Sequence, residues 1–313
     1  MIEVNIYQKK LKTHWDKFID NASNSTFLFK RDFIEYHNDR FKDFSLLFYK
    51  NEKLIAVLPA NISKETVYSH QGLTYGGLIY SDRTSCSILL EIFDALYLFL
   101  VQSNVKNLIY KSIPEVYHKS IVQNDLYALF RNDYKLYRRD LSFAIDLKSP
   151  IKMSRDRRYR INKSKRNDLK VELSKDFEVY MDIVNKNLED KYKINAVHKA
   201  NELALLSEKF ADNIKLYLVR NFENTIVGGA LVFSDNHFIH TQYLHSNSLG
   251  RSLNSTEFLV DYLINHYSDM RYLIFGVSTE NDGRILNSGL ATFKEGFGAS
   301  GIVHDFYVKQ III

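Results

Sequence analysis

Cysteine is almost absent, with Cys86 the single thiol in 313 residues. One cysteine closes no internal disulfide and builds no metal cluster, which agrees with a reducing compartment; alone, it reads as a small buried hydrophobe. Long apolar runs are missing too. The best candidate, residues 88–101, is interrupted by Glu91 and Asp94 and falls short of the roughly 18 to 20 residues that cross a bilayer, so no membrane span is expected. Residues 1–12 read as an amphipathic strand and lack the basic start, apolar middle and small-residue cleavage site of a secretory signal, which points to the cytoplasm. No credible Cys/His or Ser/His/Asp pairing stands out either. That absence is compatible with direct attack of one bound substrate on another, which requires no covalent enzyme intermediate.

Hydrophobic and charged residues, at 45% and 25%, fall in the globular range and exclude a disordered or fibrous chain. The length favours two domains over one. A net charge of +5 is modest but unevenly placed. Arg155, Arg157, Arg158, Arg160, Lys163, Lys165, Arg166 and Lys170 are opposed only by Asp156 and Asp168, which makes this segment anion-seeking.

The chain repeats itself. Residues 46–63 run parallel to residues 216–234: with one inserted residue at Phe222, Glu52 matches Glu223, Ile55 matches Ile226, Ser63 matches Ser234 and Gln71 matches Gln242. Each copy reads as a hairpin of two apolar strands, a third strand, a helix and a fourth strand. The third strands are expected within 66–80 and 237–245, the core-facing helices at 87–103 and 255–267, and the last strands at 107–112 and 271–277. Residues 13–40 read as one or two short helices and 175–210 as two more. Pro150 marks the boundary, giving domains of residues 1–148 and 149–313.

Hairpins that feed a helix and a further strand resemble the GNAT acyltransferase fold, and two in tandem resemble its FemAB-like, peptidoglycan-bridge-forming branch. The motif Arg155-Asp-Arg-Arg-Tyr-Arg-Ile-Asn-Lys-Ser-Lys-Arg looks like the basic helix opening that branch's second domain, and Phe293-Lys-Glu-Gly-Phe-Gly298 like its closing motif. The fold class so implied is α/β (α+β), two tandem GNAT-like domains, each a mixed, mainly antiparallel sheet flanked by helices. A narrower resemblance comes from Tyr68-Ser-His-Gln-Gly-Leu-Thr-Tyr-Gly-Gly77 and Ile113-Pro-Glu-Val-Tyr-His118. These look like proteins of surface-polysaccharide synthesis, in which nucleotide-linked amino sugars are N-acylated from acyl-CoA. Of the GNAT thioester-binding pattern, Asn247-Ser-Leu-Gly-Arg-Ser252 keeps only the central glycine.

Amide formation from a thioester needs a neutral amine, donors for the developing oxyanion and positioning. The turn holding Leu249, Gly250, Arg251, Ser252 and Asn254 leads into a helix, whose N-terminal amides suit the phosphates of acyl-CoA. For the base, histidine titrates near neutral pH; His70, in a Gly-rich stretch, is the first candidate, His118 the second, with His240 and His245 also in view. Glu280, in the loop after the last strand, could serve as base or hold a sugar hydroxyl. His240 and Gln242 fall on one strand face, and the repeat sets Gln71 opposite Gln242. Arg157 and Arg158 suit a nucleotide diphosphate, Lys294 a phosphate, and Tyr75 the substrate, through the polysaccharide-like motif. No metal site is expected.

The function expected is N-acyl transfer from acyl-CoA, as co-substrate, to a nucleotide-linked amino sugar for O-antigen or capsule. Two alternatives stand beside it. One is an aminoacyl-tRNA-dependent, FemX-like transferase acting on a cell-wall precursor; the other is a non-catalytic nucleic-acid-binding module using residues 155–170. Nucleic acid is a partner only under these alternatives.

Overall fold

The computed structural model describes residues 1–312, with every side chain among them but that of Tyr192. The chain forms two compact units. The first holds Met1–Asp140, Asn281–Ile285 and the chain from Val303 onward; the second holds Leu141–Glu280 and Leu286–Ile302.

In the first unit, strands β1 (Ile2–Ile6), β2 (Lys42–Asp43), β3 (Leu46–Lys50), β4 (Lys53–Leu58), β5 (Asn61–Ser63), β6 (Thr66–Tyr68), β7 (Ile79–Tyr80) and β8 (Asn107–Lys111) are joined by helices α1 (Lys12–Asn21), α2 (Arg31–Ile34), α3 (Cys86–Gln102) and α4 (Asn124–Arg131). The β3–β4 turn is two residues long, with Asn51 at φ 50° and Glu52 at φ 62°, the left-handed pair that matches the twist of a tight hairpin. Pro59 then ends β4, because it has no N–H to give a ladder. One ladder runs β1-β3-β4-β7. In α3, Ser85 Oγ accepts from the Ile88 amide at 3.3 Å, and Leu89, Ile92, Phe93, Leu96 and Leu100 turn one stripe into the core.

Strand β9 (Lys135–Asp146) carries the chain into the second unit. There follow α5 (Arg155–Ser164), β10 (Lys170–Ser174), α6 (Phe177–Tyr192), α7 (Ala200–Lys209), β11 (Ile214–Arg220), β12 (Ile226–Asp235), β13 (Phe238–Ser246), α8 (Ser248–Ser252), α9 (Ser255–His266), β14 (Tyr272–Phe275), β15 (Thr279–Glu280), β16 (Ile285–Leu286), α10 (Ser288–Glu295) and β17 (Ser300–Gln310). The second unit's ladder runs β10-β11-β12-β13-β14-β9, and β17-β8-β6-β5-β2 forms the first unit's other ladder. In each copy the third and fourth strands are parallel, β6 with β8 and β13 with β14. The hairpins before them are antiparallel. These mixed sheets with flanking helices are the architecture expected from the sequence.

Two local expectations are corrected. Residues 66–80 are not one strand: β6 stops at Tyr68, and a loop over 69–78 precedes β7. The repeat register also moves by one. Ser63 pairs with Thr66 and Asp235 pairs with Phe238 at the two hairpin ends, so His70, not Gln71, stands where Gln242 does. Among the described residues no helix is long and apolar enough to cross a membrane.

Candidate active site

Strands β13 and β14 run side by side from the Phe238–Tyr272 pair to the Thr241–Phe275 pair and share no pair beyond it. Past Thr241, β13 stays paired with β12 as far as Ser246 opposite Gly228, while the chain following β14 leaves the sheet at Gly276. A wedge opens where they part. Its cavity, about 270 Å³, is lined by Gln242, His245 and Val277 from the strand ends, Asn187 from α6, and Phe293 and Lys294 from α10.

Gln242 sits at the apex as a β-bulge. Thr241 pairs with Val232 and Tyr243 with Leu231, so Gln242 has no residue opposite it. A bulge takes the extra residue's backbone out of the ladder and re-aims its side chain. The Gln242 Oε1 is buried with no hydrogen-bond partner, a state that costs stability unless something else offers a donor.

Lys294 supplies the charge. Its Nζ donates to the Gly276 carbonyl at 2.5 Å, to the Val277 carbonyl at 3.1 Å and to Ser278 Oγ at 2.6 Å. The side chain is buried, and burial lowers its pKa to about 8. It therefore remains mostly an ammonium at neutral pH. His245 is held at about 4, by burial first and by Lys191 second, and is neutral there.

The equivalent wedge of the first unit is filled by its own chain. A Cβ on Gly76 would stand 1.8 Å from the Ser69 carbonyl oxygen, and one on Gly77, at φ +98°, 2.8 Å from the Lys111 carbonyl oxygen. Only glycines can thread between the ends of β6 and β8. Lys111 Nζ donates to the carbonyls of His70 at 3.1 Å, Gln71 at 3.4 Å and Leu73 at 2.6 Å, pinning the loop. The Gly-rich stretch closes a wedge here.

The other residues singled out from sequence are placed as follows. His70 is buried and stacked on His37 at 5.1 Å, and its Nδ1 accepts from the Gly72 amide at 3.2 Å. Burial, then the neighbouring His37, Lys111 and Arg31, lowers its pKa to about 2, where a base has little driving force to take a proton at neutral pH. His118 Nε2 donates to the Ile113 carbonyl at 3.1 Å, and Tyr75 Oη to Thr26 Oγ1 at 3.1 Å. Gln71 is exposed and exchanges hydrogen bonds with Asn61 through its amide and Oε1. His240 is buried in the ladder between Phe233 and Ile274. Glu280 is exposed and accepts from Asn287 Nδ2 at 2.8 Å.

At the expected phosphate turn, a Cβ on Gly250 would fall 2.1 Å from the Val227 carbonyl oxygen, so the glycine serves packing on β12. Arg251 Nη1 donates to Asn187 Oδ1 at 2.8 Å and to the Ser246 carbonyl at 2.9 Å. Asn247 Oδ1 caps α8 through the Gly250 amide, Asn254 is left-handed at φ 56° and buried, Ser252 Oγ returns to Leu249, and Leu249 is exposed. Arg157 is buried and donates to Glu257 at 2.6 Å, with its guanidinium 4.5 Å from the Phe293 ring centre and 4.6 Å from that of Phe297. Arg158 is exposed.

The wedge thus joins three of the singled-out residues, Gln242, His245 and Lys294. Asn187, Val277 and Phe293 are additions. The signal for Val277 was the abrupt change from the apolar run of β14 to Gly276, opposite the polar end of β13; no local signal marks Asn187 on α6. Among the described residues no group of three or more His, Cys, Asp or Glu is arranged to hold a metal ion.

No protein-family model matches the sequence, and no curated protein matches it. Solved structures do match in fold. FemX has a TM-score of 0.68 at 11% identity, covering 97% of this chain and 96% of that one. The C-terminal domain of a putative lysylphosphatidylglycerol synthetase from Agrobacterium fabrum has a TM-score of 0.61 at 10% identity, covering 96% and 92%. A tandem GNAT protein from the clavulanic acid biosynthesis pathway, solved without AcCoA, has a TM-score of 0.52 at 8% identity, covering 100% and 99%. The chain has the tandem GNAT, FemAB-like fold.

Proposed function

We propose that the chain is a FemX-like aminoacyltransferase that moves an aminoacyl group from a charged tRNA to the amine of a cell-wall precursor, at the wedge of the second unit. The observation that carries this reading is the open wedge, with a bulge at its apex and a buried ammonium in its wall. The likeness to FemX over nearly the full length of both chains supports it. A second similar structure bears a name that describes an aminoacylated lipid product.

The chemistry asked of the wedge is addition and elimination. A neutral amine attacks the ester carbonyl, a C–N bond forms, the C–O bond to the tRNA ribose breaks, and the amine proton ends on the leaving oxygen. The backbone amide of Gln242, the bulged residue without one opposite, is the donor assigned to the oxyanion, and the Lys294 ammonium adds positive charge in a site where water screens little. No residue need become covalently attached.

The other donor, acyl-CoA with a nucleotide-linked amino sugar as acceptor, calls for a phosphate cradle at the turn before α9. There Gly250 is packed against β12 and Arg251 is tied to Asn187 and Ser246, which weighs toward the tRNA donor. A cytoplasmic location belongs to the same proposal, because that is where tRNA is charged.

The test is mass spectrometry of the purified protein with aminoacyl-tRNA and nucleotide-linked cell-wall precursors, beside a second arm with mixed acyl-CoAs and nucleotide amino sugars. Aminoacylated precursor in the first arm is the expected result. Product in the second arm alone would replace this donor with acyl-CoA. RNA binding without product in either would leave the non-catalytic reading.

A further inference from the structure

Helix α5 has two faces of opposite character. Arg157, Ile161 and Ser164 are buried, and through Arg157 this inner face packs on Phe293 in the wall of the wedge. Arg155, Arg158, Tyr159, Asn162, Lys163 and Arg166 recur at the three- and four-residue intervals that align side chains along one side of a helix, with Arg166 in the turn that continues α5. All six are exposed, and Tyr159 keeps 66% of its surface in solvent.

Ion pairing separates these cations from their neighbours. Arg157 is spent on Glu257, Arg160 on Asp156 and Lys165 on Asp261. Among the described residues, Arg155, Arg158, Lys163 and Arg166 make no side-chain ion pair or hydrogen bond. A stripe of four uncompensated cations is repulsive in the free protein, and a polyanion relieves it. The outer face holds a flat ring amid the cations but no aliphatic side chain to bury in a lipid headgroup layer. Cations for phosphates with an aromatic for a base match RNA.

We infer that the outer face of α5 is the surface that holds the RNA body of the donor: Arg155, Arg158, Lys163 and Arg166 take successive phosphates and Tyr159 stacks on an unpaired base. This rests on the tRNA-donor reading and adds to it the surface that engages the RNA, on the helix whose inner face supports the wedge.

The test uses uncharged tRNA, so that binding is read apart from transfer. The intact protein is titrated by fluorescence anisotropy across a series of salt concentrations. The variant carrying Arg155→Gln, Arg158→Gln, Lys163→Gln and Arg166→Gln is expected to bind on the order of 100-fold more weakly, with its log–log salt slope smaller by about 3 to 4. Tyr159→Ala is expected to lose about 10-fold and Tyr159→Phe to keep the affinity. A control with Lys9→Gln, Lys10→Gln, Lys17→Gln and Lys64→Gln, four exposed lysines of the first unit, should bind like the unaltered protein. Because every altered side chain is exposed, an unchanged melting temperature should accompany each result.

Unchanged tRNA affinity in the α5 variant overturns the proposal. So does binding to phosphatidylglycerol vesicles, lost in that variant, by a protein that does not bind tRNA. The two readings fail separately: tRNA held through α5 without aminoacyl transfer sinks the reaction and keeps the surface, whereas transfer that is indifferent to the α5 substitutions sinks the surface and keeps the reaction.

Discussion

Arg157 donates to Glu257 across 2.6 Å, with the two side chains only 9% and 12% exposed. Helices α5 and α9 are thereby joined by a charge pair almost out of water, and removing one member strands the other in a poorly solvated site. Arg157→Ala and Glu257→Ala should each cost about 3–5 kcal/mol of stability. Arg157→Lys should restore little, since an ammonium cannot both reach Glu257 and cover the Phe293 and Phe297 rings as a flat guanidinium does. Chemical denaturation checks this; full stability in either alanine variant would refute it.

Lys294 should control the alkaline side of the rate. Its burial-lowered pKa of about 8 means that the ammonium is lost as pH rises through that value. Acyl transfer should fall over the same interval, and Lys294→Met should show a rate lower by on the order of 100-fold with no such limb. A pH–rate profile of both proteins decides it, and an identical limb in the variant would assign the titration elsewhere.

Gly250→Ala should destabilise the second unit. The added methyl would meet the Val227 carbonyl oxygen at 2.1 Å, and backbone on both sides must shift, at about 1–3 kcal/mol. The loss should show in the melting temperature with or without acyl donor, because the glycine meets the strand. Loss of donor affinity at unchanged stability would restore the turn as a ligand site.

Acid should weaken the fold before its carboxylates titrate. His245 and His304 are each lowered from 6.5 to about 4, chiefly by burial, so the folded protein keeps them neutral while the unfolded chain binds protons. The contribution of these two histidines is then flat above about pH 6.5 and falls as pH drops from there toward about 4. Urea midpoints at pH 7.5 and 5 measure it, and equal values would contradict the buried neutral rings.

Element order was legible because it follows from local pattern: the apolar stripe of α3, the Asn51–Glu52 turn and the paired hairpins each declare themselves within a few residues. The wedge was only half legible. Strand alternation and the repeat pointed to Gln242, and the 293–298 motif to Lys294, but the bulge that sets Gln242 depends on a pairing choice between β12 and β13 that no local signal encodes. Arg157 and Arg158 are adjacent and alike in sequence, yet one is buried against Glu257 and the other is in solvent. Helical phase divides them, and only the neighbours reveal which phase faces inward. The glycines of 72–77 were misleading for a related reason, as close approach to a ligand and close approach to one's own chain demand the same residue.

The loop pinned by Lys111 bears on stoichiometry. Although the fold is duplicated, backbone occupies one copy's opening, so calorimetric titration with a donor analogue should saturate at one equivalent per polypeptide. A value of two would require residues 70–78 to swing out and surrender every carbonyl that the lysine holds.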